Sequence, residues 1–325
     1  MKTKDKYPKI GVIGAGTMGQ HHVRIISQTP GVVLSGLFDP DPVRAAELCS
    51  RHSCMEHPSM EALLDKSDAV CVAAPTSIHL DIGLACLSRG VHVLMEKPLA
   101  DTAAGAGQLV DAADTAGLVL MAGHVERYNP AIGKMMALLC EWQEPVISID
   151  ARRLTPFDGS RCMDVDVLLD LLIHDIDLIL EIADSPIARV HAAGRPVFSQ
   201  QTDVCHALLE FDNTCVATLW TAKCSPRKVR SLTVTTRRRY MVADTLSRSL
   251  AVYTADDLPA LADGVCFMGN IRMESVDVPD EEPLRRELED FFQAIQGRKP
   301  PLVDGRRGLA ALSALEVVRK ALSQT

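Results

Sequence analysis

No apolar run in this chain of 325 residues reaches the roughly 18 residues needed to cross a bilayer, so neither a membrane span nor a membrane partner is expected. The opening, Met1 to Lys9, has no apolar core of a secretory signal; it is basic and polar and leads straight into a strand-like run, which predicts a cytoplasmic protein. Positive charge is not in excess: 34 Lys and Arg stand against 42 Asp and Glu, a formal net charge of −8. That balance argues against a surface built to neutralise nucleic-acid phosphates, so no nucleic-acid partner is expected. The ten cysteines form no CxxC pair and are spread over both halves, which predicts reduced thiols rather than a disulfide framework. There is no internal repeat and no low-complexity segment. What is present is globular, with 47% hydrophobic and 23% charged residues, in a length that suits two domains of roughly 100–200 residues each.

From Lys9 to Ala122 short apolar runs alternate with helix-length segments. The runs Ile10–Ile13, Val32–Phe38, Ala69–Ala73, Val91–Met95 and Leu118–Ala122 are strand-length and rich in Val, Ile and Leu. This rhythm predicts an α/β fold, a doubly wound parallel sheet of Rossmann type, over residues 1–123. Beyond it we expect a helix near Asn129–Glu141, a strand through Val146–Arg153, a long helix near Val165–Ala183 and strand-like runs from Ile187 to Met273. Residues 124–325 thus read as an α+β domain with a large, mainly antiparallel open sheet. Two helices close the chain, at Pro283–Gln296 and after Gly305, the last expected to pack back on the first domain.

The first strand runs into Gly14-Ala15-Gly16-Thr17-Met18-Gly19 and then a helix. In that setting the glycines permit a tight turn and close approach of backbone to a pyrophosphate, whose charge faces the helix N-terminus. The next strand ends in Asp39, 20 residues after Gly19, where an acid can accept hydrogen bonds from the adenosine ribose. Asp39 would repel a 2′-phosphate, which favours NAD over NADP; Arg44 nearby keeps NADP open.

The strand Val91–Met95 delivers Glu96-Lys97-Pro98 to the carboxyl edge of the parallel sheet, where such folds bind ligands. Lys97 there could polarise a substrate oxygen or relay its proton, and a loop salt bridge is the plainer alternative. On the long helix, Asp166, Asp170, His174, Asp177 and Glu181 fall in one narrow stripe on an otherwise apolar surface. Asp170 and His174, one turn apart, could form a carboxylate–imidazole pair that sets the tautomer and raises basicity.

With the strand-linked GxGxxG, Pro75-Thr76-Ser77-Ile78-His79, Glu96-Lys97-Pro98, the Asp170/His174 helix and Val303-Asp304-Gly305 in this order, the chain resembles the Gfo/Idh/MocA family of oxidoreductases over nearly its whole length. The resemblance implies an NAD(P)-dependent enzyme acting on a CH–OH group, with Lys97, Asp170 and His174 as the catalytic set. It implies that Pro75, Thr76, His79, Glu96 and Pro98 line the cofactor beside Gly14, Gly16, Thr17, Met18, Gly19 and Asp39. It also implies homodimers or homotetramers built through the open sheet.

The segments Gly123–Pro130, Arg153–Phe157 and Asp164–Val167 are similar to members that oxidise UDP-N-acetylglucosamine at carbon 3, supplying a pathway transaminase for lipid A or surface polysaccharide. Arg127, Tyr128, Arg153 and Asp166 are the substrate contacts this implies. A diphosphate needs fixed positive charge, and Arg127, Arg152, Arg153 and Arg161 flank the expected cleft, as diphosphate forks or as surface ion pairs. Oxidation would remove the hydroxyl proton to His174 or Lys97 while the carbon-bound hydride passes to the nicotinamide. Dehydrogenation of an unactivated sugar or inositol is the rival reaction, and a dinucleotide-binding regulator without chemistry is the rival role. Cys49, His52, Cys54 and His57 have spacings that could catch zinc, yet they read more simply as a helix end and loop, so no metal is expected. Arg237-Arg238-Arg239 reads as the solvated side of a hairpin, and His21 and His22 as helix surface or packing residues.

Overall fold

The computed structural model describes residues 7–157, 166–255 and 271–323. They fall into two compact units: one holds the described residues up to Val125 with Glu282–Ser313, the other those of Glu126–Glu281 and from Ala314 on.

In the first unit β1 (Lys9–Ile13), α1 (Thr17–Gln28), β2 (Val33–Phe38), α2 (Pro42–His52), α3 (Met60–Leu64), β3 (Ala69–Val72), α4 (His79–Ser88), β4 (His92–Glu96), α5 (Ala103–Ala116) and β5 (Leu120–Gly123) alternate as the apolar rhythm predicts. The five strands pair in parallel in the order β2-β1-β3-β4-β5. An isolated parallel bridge pairs Leu37 of β2 with Glu56. All four residues of β3 are fully buried, as expected of a strand covered by helices on both faces. Local chemistry starts the helices: Asp41 accepts from Val43 N and Arg44 N ahead of Pro42 at the first turn of α2, and Thr102 accepts from Gly105 N to open α5.

The second unit contains α6 (Pro130–Trp142), β6 (Ser148–Leu154), α7 (Ile173–Ala183) and the strands β7 (Ile187–Arg195), β8 (Val204–Phe211), β9 (Val216–Ala222), β10 (Val229–Thr235), β11 (Arg239–Asp244), β12 (Ser249–Ala255) and β13 (Ile271–Val276). One eight-stranded sheet results, in the order β13-β12-β11-β10-β6-β9-β8-β7, antiparallel except between β6 and β9. Its inner face carries Ile149, Ala151, Leu209, Ala217, Leu219 and Val234, all buried.

Chain order alone would give residues 282–313 to the second domain, but they belong with the first unit. The amphipathic helix α8 (Pro283–Ile295) buries Leu284, Leu288, Phe291 and Phe292, and Val303 O accepts from Ala122 N beside β5. The last helix, α9 (Gly305–Leu322), has residues in both units.

The long helix also departs from the expected one. Of the expected span Val165–Ala183, the described part is a π-type turn over Leu168–Leu172 that passes into α7. Asp166 stands before it and caps it, its carboxylate accepting from Leu169 N at 2.9 Å. Residues 164 and 165, and Arg161, lie outside the described residues.

Beyond β7 the chain is wound on one carboxylate. Asp203 accepts from the backbone N–H groups of Val197, Phe198 and Ser199 at 2.7–2.9 Å and from the Ser199 hydroxyl at 2.8 Å. Burial alone would raise its pKa, but these donors overcome that and hold it down at about 2 from the usual 3.8. Because the folded pKa is depressed, the stabilisation is complete above the unfolded pKa and disappears as pH falls through the folded one. We expect Asp203→Asn to cost about 2 kcal/mol at neutral pH and to make the stability fall less steeply between roughly pH 4 and 2 than in the native protein, by the share this carboxylate contributes. Urea denaturation across that range measures it.

Candidate active site

The Gly14–Gly19 turn is built by backbone contact. Gly14 has φ +102°, and a Cβ there would stand 2.4 Å from Ala73 O; one on Gly19 would stand 1.9 Å from Gly14 O. Neither position accepts a side chain, so β1, β3 and α1 close on one another only through glycine. Gly16 is different: nothing lies within 4 Å of where its Cβ would be, and it is exposed, as is Thr17, with Met18 half-buried. Gly16 is the N-cap of α1, with no side-chain cap and no acid in the first turn. Unclaimed N–H donors beside open space fit a dinucleotide pyrophosphate. Asp39 anchors the turn, accepting from Ala15 N at 2.6 Å and Asp41 N at 2.8 Å. Arg44 is held on Asp41 at 3.0 Å.

The ends of β3 and β4 are tied together. His79 is buried, with Nδ1 2.8 Å from Pro98 O and Nε2 2.9 Å from Ala74 O. Pro75 is exposed and Thr76 half-buried at the start of a short 3-10 turn. Glu96 is the last residue of β4 and accepts from His22 Nε2 at 2.8 Å; half-buried Lys97 follows it, joined to Pro98 by a cis peptide. His22, expected at a helix surface or in packing, is fully buried and polar-bonded.

In the second unit Asp170 lies in the π-type turn and half-buried His174 lies just inside α7. Asp170 Oδ2 is 3.3 Å from Lys223 Nζ at the end of β9. Lys223 was not singled out in sequence, because a lysine just past a strand carries no periodic signal.

Arg153 has the geometry of a framework residue. It is 2% exposed; its Nε and Nη2 make three contacts of 2.7–3.0 Å to Asp175, and its Nη1 donates to Glu126 at 2.8 Å. Burial alone would lower the Arg153 pKa, but Asp175 and Glu126 more than reverse this. Burial pushes the Asp175 carboxyl up against the pull of Arg153; with three hydrogen bonds from a guanidinium that keeps its proton, we take Asp175 as a carboxylate. Burial also works against Glu126, yet Arg153 and Arg230 hold it below the usual carboxylate range. Arg127 is likewise buried, 2.8 Å from Glu181 and 3.9 Å from Asp177, Tyr128 is buried, and Asp166 binds Arg319 at 3.0 Å. Of the four arginines expected to flank the cleft, Arg127 and Arg153 are therefore paired with carboxylates of their own unit, and exposed Arg152 lies 2.8 Å from Asp150. Two acids of the expected stripe, Asp177 and Glu181, are the partners of Arg127, and Asp175, one position off that stripe, is the main partner of Arg153.

Among the described residues no group of three or more His, Cys, Asp or Glu is arranged to hold a metal ion. Cys54 Sγ lies 2.9 Å from Cys49 Sγ, and His57 Nε2 lies 3.0 Å from Ser35 O. No described helix is long and apolar enough to cross a membrane.

Residues 8–124 match the oxidoreductase family Gfo/Idh/MocA, described as an NAD-binding Rossmann fold, and residues 130–241 match the Gfo/Idh/MocA C-terminal domain. The chain belongs to the Gfo/Idh/MocA oxidoreductase family. It is 33% identical over 319 residues, 97% of each chain, to UDP-N-acetylglucosamine 3-dehydrogenase of Acidithiobacillus ferrooxidans. The solved structure of that enzyme, GnnA, superimposes with a TM-score of 0.89 at 31% identity over 98% of both chains. Inositol 2-dehydrogenase of Paracoccus denitrificans is 30% identical over 208 residues, 62% of this chain and 60% of that one. As a Gfo/Idh/MocA member the chain is an NAD-dependent oxidoreductase, in keeping with the open Gly16 backbone and Asp39.

Since Arg153 is buried, removing one partner leaves a charge without compensation. Asp175→Leu is expected to cost about 3–5 kcal/mol in urea denaturation, and the double change with Arg153→Met less than that. A double variant less stable than Asp175→Leu would contradict the framework role.

Proposed function

We propose that this enzyme oxidises the 3-hydroxyl of UDP-N-acetylglucosamine to the 3-keto sugar, using NAD. The observation that carries the reading is identity at full length: the Acidithiobacillus ferrooxidans UDP-N-acetylglucosamine 3-dehydrogenase is 33% identical over 97% of each chain, whereas the myo-inositol 2-dehydrogenase of Thermotoga maritima, which also matches over 97% of this chain, is 23% identical.

In this reading NAD, when bound, accepts the hydride. The protein's task is to bind the cofactor, orient the sugar and take the hydroxyl proton. Gly16, Thr17 and Met18 offer backbone donors to the pyrophosphate in a turn that Gly14 and Gly19 shape by close backbone contact, Asp39 meets the adenosine ribose, and Pro75, Thr76, His79, Glu96 and Pro98 line the rest of the cofactor. Lys97 and His174 are the two proton acceptors available, with Asp170 placed by Lys223 to support the imidazole. Burial of Arg127 and Arg153 on internal carboxylates supports a part for them in shaping the second unit rather than in holding the diphosphate, and buried Tyr128 and the Arg319-paired Asp166 are read the same way.

The 3-keto product suits a transaminase that makes a 3-amino sugar for lipid A or surface polysaccharide, which places the enzyme in the cytoplasm. Exposed Trp220, Tyr240 and Met273 on strands of the eight-stranded sheet support self-association through that sheet, as a dimer or tetramer.

Absorbance of NADH, with a 3-ketosugar transaminase to draw the oxidation forward, tests the reading on UDP-N-acetylglucosamine, other UDP-sugars, glucose and inositol. Turnover confined to UDP-N-acetylglucosamine is expected; turnover only with free sugars or inositol would refute it. His174→Ala should lose about 10²–10⁴-fold in kcat while NADH binding stays unchanged. Near-native turnover in that variant would remove His174 from the mechanism.

A further inference from the structure

Sheet order in the first unit gives its carboxyl edge a direction. β2, which is followed directly by Asp39, lies on one side of β1; β3, β4 and β5 lie on the other. A dinucleotide with its pyrophosphate on the Gly14–Gly19 turn and its adenosine ribose at Asp39 must extend its nicotinamide half over β3 and β4, toward Glu96 and Lys97.

The end of β4 is held from α1. His22 is fully buried on the face of α1 that also buries Gly19, Val23, Ile25 and Ile26. Its Nε2–H donates to Glu96 Oε1 at 2.8 Å, and its Nδ1 has no hydrogen-bond partner among the described residues. The ring therefore contributes one directed donor. The other side of Glu96 is closed by Gly123, its register partner on β5: a Cβ there would stand 3.1 Å from Glu96 Cα and 3.2 Å from Oε2.

A buried imidazole–carboxylate pair is a poor way to stabilise a core, because apolar side chains of the same volume pack there without desolvating polar groups. The neighbourhood is anionic besides: burial raises the Cys71 thiol, and Glu287 and Glu96 raise it further. Such a pair makes sense where a carboxylate must keep one position. α1 begins at the pyrophosphate turn, and in its second turn it fixes the acid that precedes Lys97, so one helix sets both halves of the cofactor track.

We propose that His22 is a positioning residue for the nicotinamide half of NAD, acting through Glu96. The inference goes beyond the choice of substrate, and its test needs no sugar. Isothermal titration calorimetry on the full chain compares NADH with ADP-ribose, which keeps the adenosine and pyrophosphate but lacks the nicotinamide. His22→Leu should weaken NADH about tenfold while leaving ADP-ribose within about twofold. His22→Gln, which retains an N–H at similar reach, should regain most of the NADH affinity. Parallel weakening of both ligands would make His22 a packing residue of α1 and overturn the proposal, as would native NADH affinity in folded His22→Leu. If His22→Leu does not fold, His22→Asn, polar but too short to reach Glu96, replaces it. An NADH to ADP-ribose affinity ratio equal to that of His22→Gln would then sink the idea.

Discussion

Inside the second unit one guanidinium joins three elements. Arg153 on β6 reaches Asp175 on α7 and Glu126 in the turn ahead of α6, and Arg230 on β10 shares the Glu126 carboxylate at 3.2 Å. A buried arginine is tolerated only if carboxylates meet it in good geometry. The helix that carries His174 must therefore present Asp175 to the sheet, which sets its rotation about its own axis. His174 and Asp175, adjacent in sequence, point about 100° apart on an α-helix, so the pairing of one dictates where the other can act. The framework charges are thus part of how the catalytic candidates are aimed.

In the first unit the corresponding constraint is the absence of Cβ atoms. Gly14 and Gly19 let β1, β3 and α1 approach to distances that no side chain allows. This contact aims the open start of α1 at the place for a pyrophosphate, and the same helix carries His22 down to Glu96. In the proposed reading, cofactor binding and the placement of Lys97 then rest on one helix rather than on separate loops.

Much of this was legible from pattern. Parallel strands came from apolar runs of the right length, and the dinucleotide site from glycines whose spacing has a steric cause. The antiparallel sheet was legible as a class, though not its parallel β6–β9 pair, which joins strands distant in sequence. Polar roles in the second unit were much less legible. A stripe of acids on a helix reads as a site whether its members face a ligand or a buried arginine, and Arg127 and Arg153 beside sugar-enzyme motifs read as diphosphate clamps. Asp175 was passed over because it lies one position off the stripe, and the π-type turn is not visible in a pattern that assumes an α-helical period.

By itself the sequence determined the fold class, the glycine turn and the Asp39 that follows the next strand, and the presence of Lys97, Asp170 and His174, because these depend on local spacing and on residue types that few other contexts require. Tertiary structure alone decided which charges are spent inside: Arg153 on Asp175 and Glu126, Arg127 on Glu181, His22 on Glu96. Whether a charged group faces solvent or another charge depends on which strands and helices pack together, and long-range pairing leaves no period in the chain.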